Sequence, residues 1–191
     1  MPASTPTHDA TAPRTLASAG LPRRVRKALE QALTLVSVEL DHSLGTLLTE
    51  FEQELFRLAD LARNPGSESG YMQTLRTFRM NRADLVPQFM LELEAGLAGL
   101  RSPASTAKPT AAAPSTGFQT LSLVEDAVMD EDTVLREIAS RQESRANLAL
   151  HLLGQRFGVL AGTPAFDAER IPLGPQSLCR AMRGACQALQ I

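Results

Sequence analysis

Large apolar side chains recur from residue 25 onward at the spacing of a helix. Val25, Leu29, Leu33, Val36, Leu40, Leu44, Leu47, Phe51, Leu55, Leu58 and Ala62 follow one another at about 3.7 residues on average. That is the period of a straight amphipathic helix, not the 3.5-residue repeat of a coiled coil. Pro22 suits its first turn. A helix of ~40 residues is about 60 Å long, more than the width of a small domain. It must bend, with Gly45 as the weak point, or project past its neighbours.

The stretch "NPGSESG" at 64–70 reads as the break after this helix, with Ser69 as a cap for the next. Tyr71, Leu75, Phe78, Arg82, Leu85, Phe89, Leu93 and Leu97 then share one helical face. Pro87 lies inside this run and crowds the carbonyl of Ala83, which predicts a kink or a break. The two helices form an antiparallel hairpin.

Two stretches lack large apolar groups and cannot offset their own ordering entropy. Residues 1–20 read as a disordered tail, and "RSPASTAKPTAAAPSTG" at 101–117 as a flexible linker. The chain divides into a hairpin at 21–100 and a C-terminal helical segment at 118–191.

In that segment "LSLV" is a short apolar lead-in without helical spacing, packed on the bundle. Asp130, Glu131 and Asp132 suit a helix N-terminus, where the macrodipole favours negative charge. One helix then runs on with Val134, Ile138, Leu148, Leu152, Val159 and Leu160, and with Glu137 and Arg141 at i,i+4. After a loop, Gly174 and Pro175 start a last helix with Leu178, Met182, Cys186 and Leu189 on one face. No C-cap glycine or proline follows this stripe, so the helix is expected to continue past Ile191. The fold class is all-α: a long helical hairpin plus a further helical pair, bundle-like.

Composition narrows the function. Apolar residues are 43%, charged residues 21%, and the net charge is −2. No global field draws the chain to nucleic acid or an acidic membrane. Aromatics are 4% with no Trp, poor material for base stacking. Arg outnumbers Lys 17 to 2, which reads as genome composition rather than a binding task. The start has no apolar segment of a secretory signal, and no apolar run approaches ~18 residues. Cys179 and Cys186, seven apart, are about 10 Å along a helix and too far for a disulfide. They read as small buried or half-buried thiols of a cytoplasmic protein.

Candidate chemistry is thin. Glu39 and His42 have the Glu-x-x-His spacing of di-iron bundles, but no second copy exists, so His42 reads as a helix-flank residue. Arg141 and Arg145 share the Arg-x-x-x-Arg spacing of PilZ cyclic-diguanylate receptors, without the motif and barrel that follow it there. Arg23, Arg24 and Arg26, and the row Arg76, Arg79 and Arg82, are the basic clusters. They are the weak candidates for partner or anion contact. No phosphate-binding loop, nucleophile elbow or paired Cys-x-x-Cys is present. No cofactor or metal is implied, and no catalytic residue is assigned.

The stretches "LSLVEDAVMDEDTVLREIASRQESRANLALHLLGQRFGVLAG" and "IPLGPQSLCRAM" resemble an uncharacterised proteobacterial family, domain of unknown function 1631. The helical hairpin resembles that family's opening region. The resemblance implies a mostly helical, intracellular protein of several hundred residues, of which this chain is the N-terminal region. It brings no catalytic residues across. The expected function is a non-enzymatic interaction or regulatory region of a larger cytoplasmic bacterial protein. Its partners are other proteins, further copies of itself or later parts of the parent chain. The alternative is a ligand-responsive module in cyclic-diguanylate signalling.

Overall fold

The computed structural model describes residues 14–101 and 131–191. The expectations for residues 1–13, for the linker at 102–117 and for the "LSLV" lead-in lie outside the described residues. The described residues form five α-helices and no strand. They are α1 (Arg23–Asp60), α2 (Pro65–Ala98), α3 (Glu131–Arg145), α4 (Asn147–Ala161) and α5 (Pro175–Ala188), with a 3-10 turn at Ala168–Arg170. The chain is all-α, a hairpin with a second helical group packed on it.

α1 runs unbroken through Gly45, whose surroundings are open. Its length is used by spanning two cores. Leu29 is buried with Leu16, Leu97, Leu100, Phe157 and Ile171 at one end. Leu44 and Leu48 are buried with Phe78, Leu85, Phe89 and Ala185 further along. Leu33 touches both groups. The C-terminal helices therefore share both cores with the hairpin.

Several expectations are corrected. α2 starts at Pro65, not after residue 70, because the Asn64 side chain accepts a hydrogen bond from the Gly66 N–H at 2.8 Å and Pro65 takes the first helical position. Ser69 is inside the helix and caps nothing. Pro87 does not break α2. It is exposed, as is Ala83, so the turn that lacks a backbone hydrogen bond lies on the solvent side of the helix. The packed chain also begins before residue 21. Leu16 is 2% exposed in the first core, and its N–H donates to Glu94 Oε1 at 2.8 Å.

The single helix expected from 131 to 160 is two. Ala146, at φ −106° and ψ 19°, leaves helical geometry between α3 and α4. The expected apolar face holds only in part: Leu160 packs on the first core and Val134 is half-buried, but the other four residues lie outside. Ile138, Leu148, Leu152 and Val159 are exposed, whereas Ala139, Leu150, Phe157 and Ala161 are buried. Two glycines explain the choice. A Cβ on Gly154 would lie 2.4 Å from the Phe166 carbonyl oxygen, and one on Gly158 2.8 Å from that of Pro164. The 163–166 loop lies directly on the helix backbone, and that face carries Phe157 into the core.

α5 starts at Pro175 after Gly174, as its sequence predicts. It ends at Ala188 rather than running to the last residue. The Gln190 N–H donates to the Gln187 carbonyl at 3.2 Å and the Ile191 N–H to that of Cys186 at 3.0 Å. This is the Schellman arrangement, with Gln190 at φ 56° in the place glycine usually takes.

Gly154→Ala should lower stability by about 1–3 kcal/mol, since its Cβ meets backbone that cannot step aside. Gly45→Ala should raise it by about 0.5–1 kcal/mol, through helix propensity alone. Urea unfolding of the two variants beside the parent chain measures both.

Candidate functional site

The residue types on α5 decide which of its sides meets α2. Ala181 and Ala185 are buried against α2, and Gly184 lies where a Cβ would come 3.2 Å from Glu92 Cδ. Small side chains on that face let the two backbones approach. The larger ones, Leu178, Met182 and Cys186, are left beside the contact and only half-buried. Across from them α1 presents Leu40, Leu44, Leu47 and Phe51. Phe89 of α2 also lines the space between, as do Val134 and Leu135 from the first turns of α3.

The result is an open groove of about 790 Å³. Its polar lining among the described residues is Ser43, Arg183 and the two cysteines. Leu47 is 50% and Phe51 40% exposed. Full burial of such side chains contributes about 1.5–3 kcal/mol each, so the groove holds unused apolar surface. Phe51 also meets Phe78 edge to face, with ring centroids 5.2 Å apart, which fixes its ring at the groove wall. Cys179 and Cys186 are free thiols. Burial pushes both upward, Cys179 with a further push from the Glu143 charge. They act as protonated, apolar wall rather than as nucleophiles. A concave apolar surface of this size suits an apolar side-chain cluster or ligand. Its described lining holds no carboxylate and no histidine.

The arginine candidates go elsewhere. Arg79 Nε donates to Glu52 Oε1 and Arg82 Nη1 to Glu52 Oε2, each at 2.6 Å, and Arg82 Nη2 donates to Thr49 Oγ1 at 2.9 Å. One glutamate on α1 thus clamps two arginines on α2 across the hairpin. This is why an arginine occurs in the buried row of α2. Arg76 is exposed on the same helix. Arg23 and Arg24 are exposed at the start of α1, and Arg26 lies 3.8 Å from Glu30. The two basic clusters do not form one site. Arg141 pairs with Glu137 at 2.5 Å, and Arg145 is exposed at the end of α3. Glu39 and His42 are exposed on α1, and no group of three metal-binding side chains occurs among the described residues. No described helix is long and apolar enough to cross a membrane.

The sequence shows both walls of the groove as stripes, on α1 and on α5. It hides that they face each other across an opening. That follows from Ala181, Gly184 and Ala185, small residues that carry little weight in a hydrophobic pattern. Leu135 and Phe89 enter through tertiary placement alone.

Two carboxylates titrate in opposite directions. The Arg79 hydrogen bond, aided by the charges of Arg79 and Arg82, outweighs burial and holds Glu52 below its ordinary 4.5. On acidification the unfolded chain takes up this proton first, so the clamp's contribution is full above pH 4.5 and fades as pH falls through the lower, folded value. Glu52→Gln should lower the melting temperature by a few degrees at neutral pH, with the gap closing in acid. Glu143 is pushed upward by burial and then by Glu169. Its charged form costs stability as pH rises through the folded value. Glu143→Gln should raise the melting temperature at neutral pH and change it least below pH 4.5. Thermal unfolding across pH distinguishes the two signs.

No curated protein and no solved structure matches the chain. The family model described as "Protein of unknown function (DUF1631) N-terminal domain" matches residues 24–191, from the first turn of α1 to the end. With that match covering all five helices, the chain belongs to the domain of unknown function 1631 family.

Proposed function

We propose that this chain is a non-enzymatic interaction and regulatory region of a larger protein, and that it works by holding an apolar polypeptide segment in the groove between α1 and α5. The observation that carries the reading is the groove itself. It is concave, its walls are rigid helices, and nearly all of its lining is aliphatic, aromatic or thiol. Protein segments with apolar residues at helical or alternate spacing are the ligands such surfaces take. Proteins that dock there include partners and other parts of the same parent chain.

The cyclic-diguanylate alternative draws no comparable support from the arginines. Arg79 and Arg82 are engaged by Glu52, Arg26 lies beside Glu30, and Arg23, Arg24 and Arg76 are exposed on two different helices. A phosphate ligand would have to displace bonds of 2.6 Å that hold the hairpin.

Site-directed photocrosslinking in the producing cell tests the proposal. With a benzophenone side chain at Phe51, irradiation should link the groove to a defined polypeptide segment identified by peptide sequencing. The same probe at Gln31, on an exposed face of α1 away from the groove, should not. Equal products at both positions, or none at Phe51, would overturn it.

A further inference from the structure

Residues 102–130 connect the end of α2 to the start of α3. Large apolar groups in this connection are confined to its last part: Phe118, Leu121, Leu123, Val124, Val128 and Met129. The preceding stretch holds only Ala, Pro, Ser, Thr, Gly and one Lys. α3 begins at Glu131, and Val134 and Leu135 in its first turns already line the groove. The described structure therefore resumes beside the groove, with one residue between it and the end of the apolar part of the connection in sequence.

Reach and charge agree with this placement. Val124 is ten positions before Val134. Those positions can span up to about 33 Å when extended. The wall from Leu178 to Cys186 rises about 12 Å along α5. Arg183 is the charged side chain of the groove lining among the described residues. The connection carries Glu125 and Asp126 directly after its Leu-Ser-Leu-Val run, charge of the opposite sign beside the apolar cluster.

We propose that residues 118–129 of this chain occupy the groove between α1 and α5, with Leu121, Leu123 and Val124 supplying the apolar contact. This inference rests on the reading of the groove as a docking surface and names its occupant. Another segment then binds only by competing with one tethered next to the site. Tethering gives the chain's own segment a high effective concentration, which sets a threshold for any partner.

The native cysteines of the groove provide the test. In the full chain Leu121→Cys should form an intrachain disulfide with Cys179 or Cys186 under mild oxidation, detected by peptide mapping of the monomer. Thr106→Cys lies in the same connection and should form far less. In a second arm, Leu121→Asp with Val124→Asp should speed alkylation of Cys179 and Cys186 at least tenfold while the circular dichroism stays helical. Equal trapping at 106 and 121, disulfides only between chains, or alkylation unchanged by the double substitution would each overturn the proposal. If the Phe51 probe still links to another polypeptide in that event, the groove remains a docking surface with a different occupant. If both experiments fail, the groove reading fails with them.

Discussion

The buried row of α2 has to serve two neighbours at once. Leu75, Phe78, Leu85, Phe89, Leu93 and Leu97 are all at most 4% exposed. α1 covers one side of this row and α5 the other. How closely each helix approaches is set by the side chains that stand between, within interaxial distances of about 8–10 Å. The approach of α5 is made close by small residues where it touches α2, Ala181, Gly184 and Ala185. The cost of that solution is geometric. The large residues of α5 are displaced to its flank, where Leu178 and Met182 line the groove opposite the α1 stripe.

Polar links then select the register in which these surfaces meet. Glu52 ties α1 to α2 through two arginines. Arg101 Nε and Nη2 both donate to the Leu160 carbonyl, at 3.1 and 2.9 Å, which holds the end of α2 to the end of α4. Ser177 Oγ donates to the Ile171 carbonyl at 2.8 Å beneath the start of α5. A hydrogen bond of this kind contributes about 1 kcal/mol net, against about 1.5–3 for each buried aliphatic side chain. The apolar rows therefore hold the helices together, and the polar links decide which turn sits against which.

How much of this was legible follows from which residues carried the information. The hairpin was, because Leu and Phe alternate with charged residues at a clean helical period over both long helices. The start of α5 was too, because glycine followed by proline has few other readings. The buried face of α4 was not, because its decisive residues are Gly154 and Gly158, which lack side chains and look like helix breakers until a loop is laid against them. The beginning of α2 was missed for a related reason. Pro65 and Gly66 suggest a loop by composition, yet Asn64 caps them into a first turn. The groove lay beyond reach because it is a gap between two stripes, and a gap has no residue of its own.

The exposed apolar residues of the chain are of two kinds, and the distinction bears on the function. Leu35 and Val38 on α1, and Leu148 and Val159 on α4, are 69–81% exposed and stand on convex helix faces. Isolated apolar groups of that sort are ordinary on protein surfaces. Leu47 and Phe51 are less exposed, and they belong to a concavity closed on its other side by α5 and at one edge by α3. In a concavity, a single incoming side chain contacts several walls together, so apolar area buried per residue is higher and the ordering cost is met by fewer groups. A convex stripe needs a whole complementary helix to gain as much. A short run such as Leu-Ser-Leu-Val is too small to cover a helix face, but it is well matched to a groove already walled on three sides.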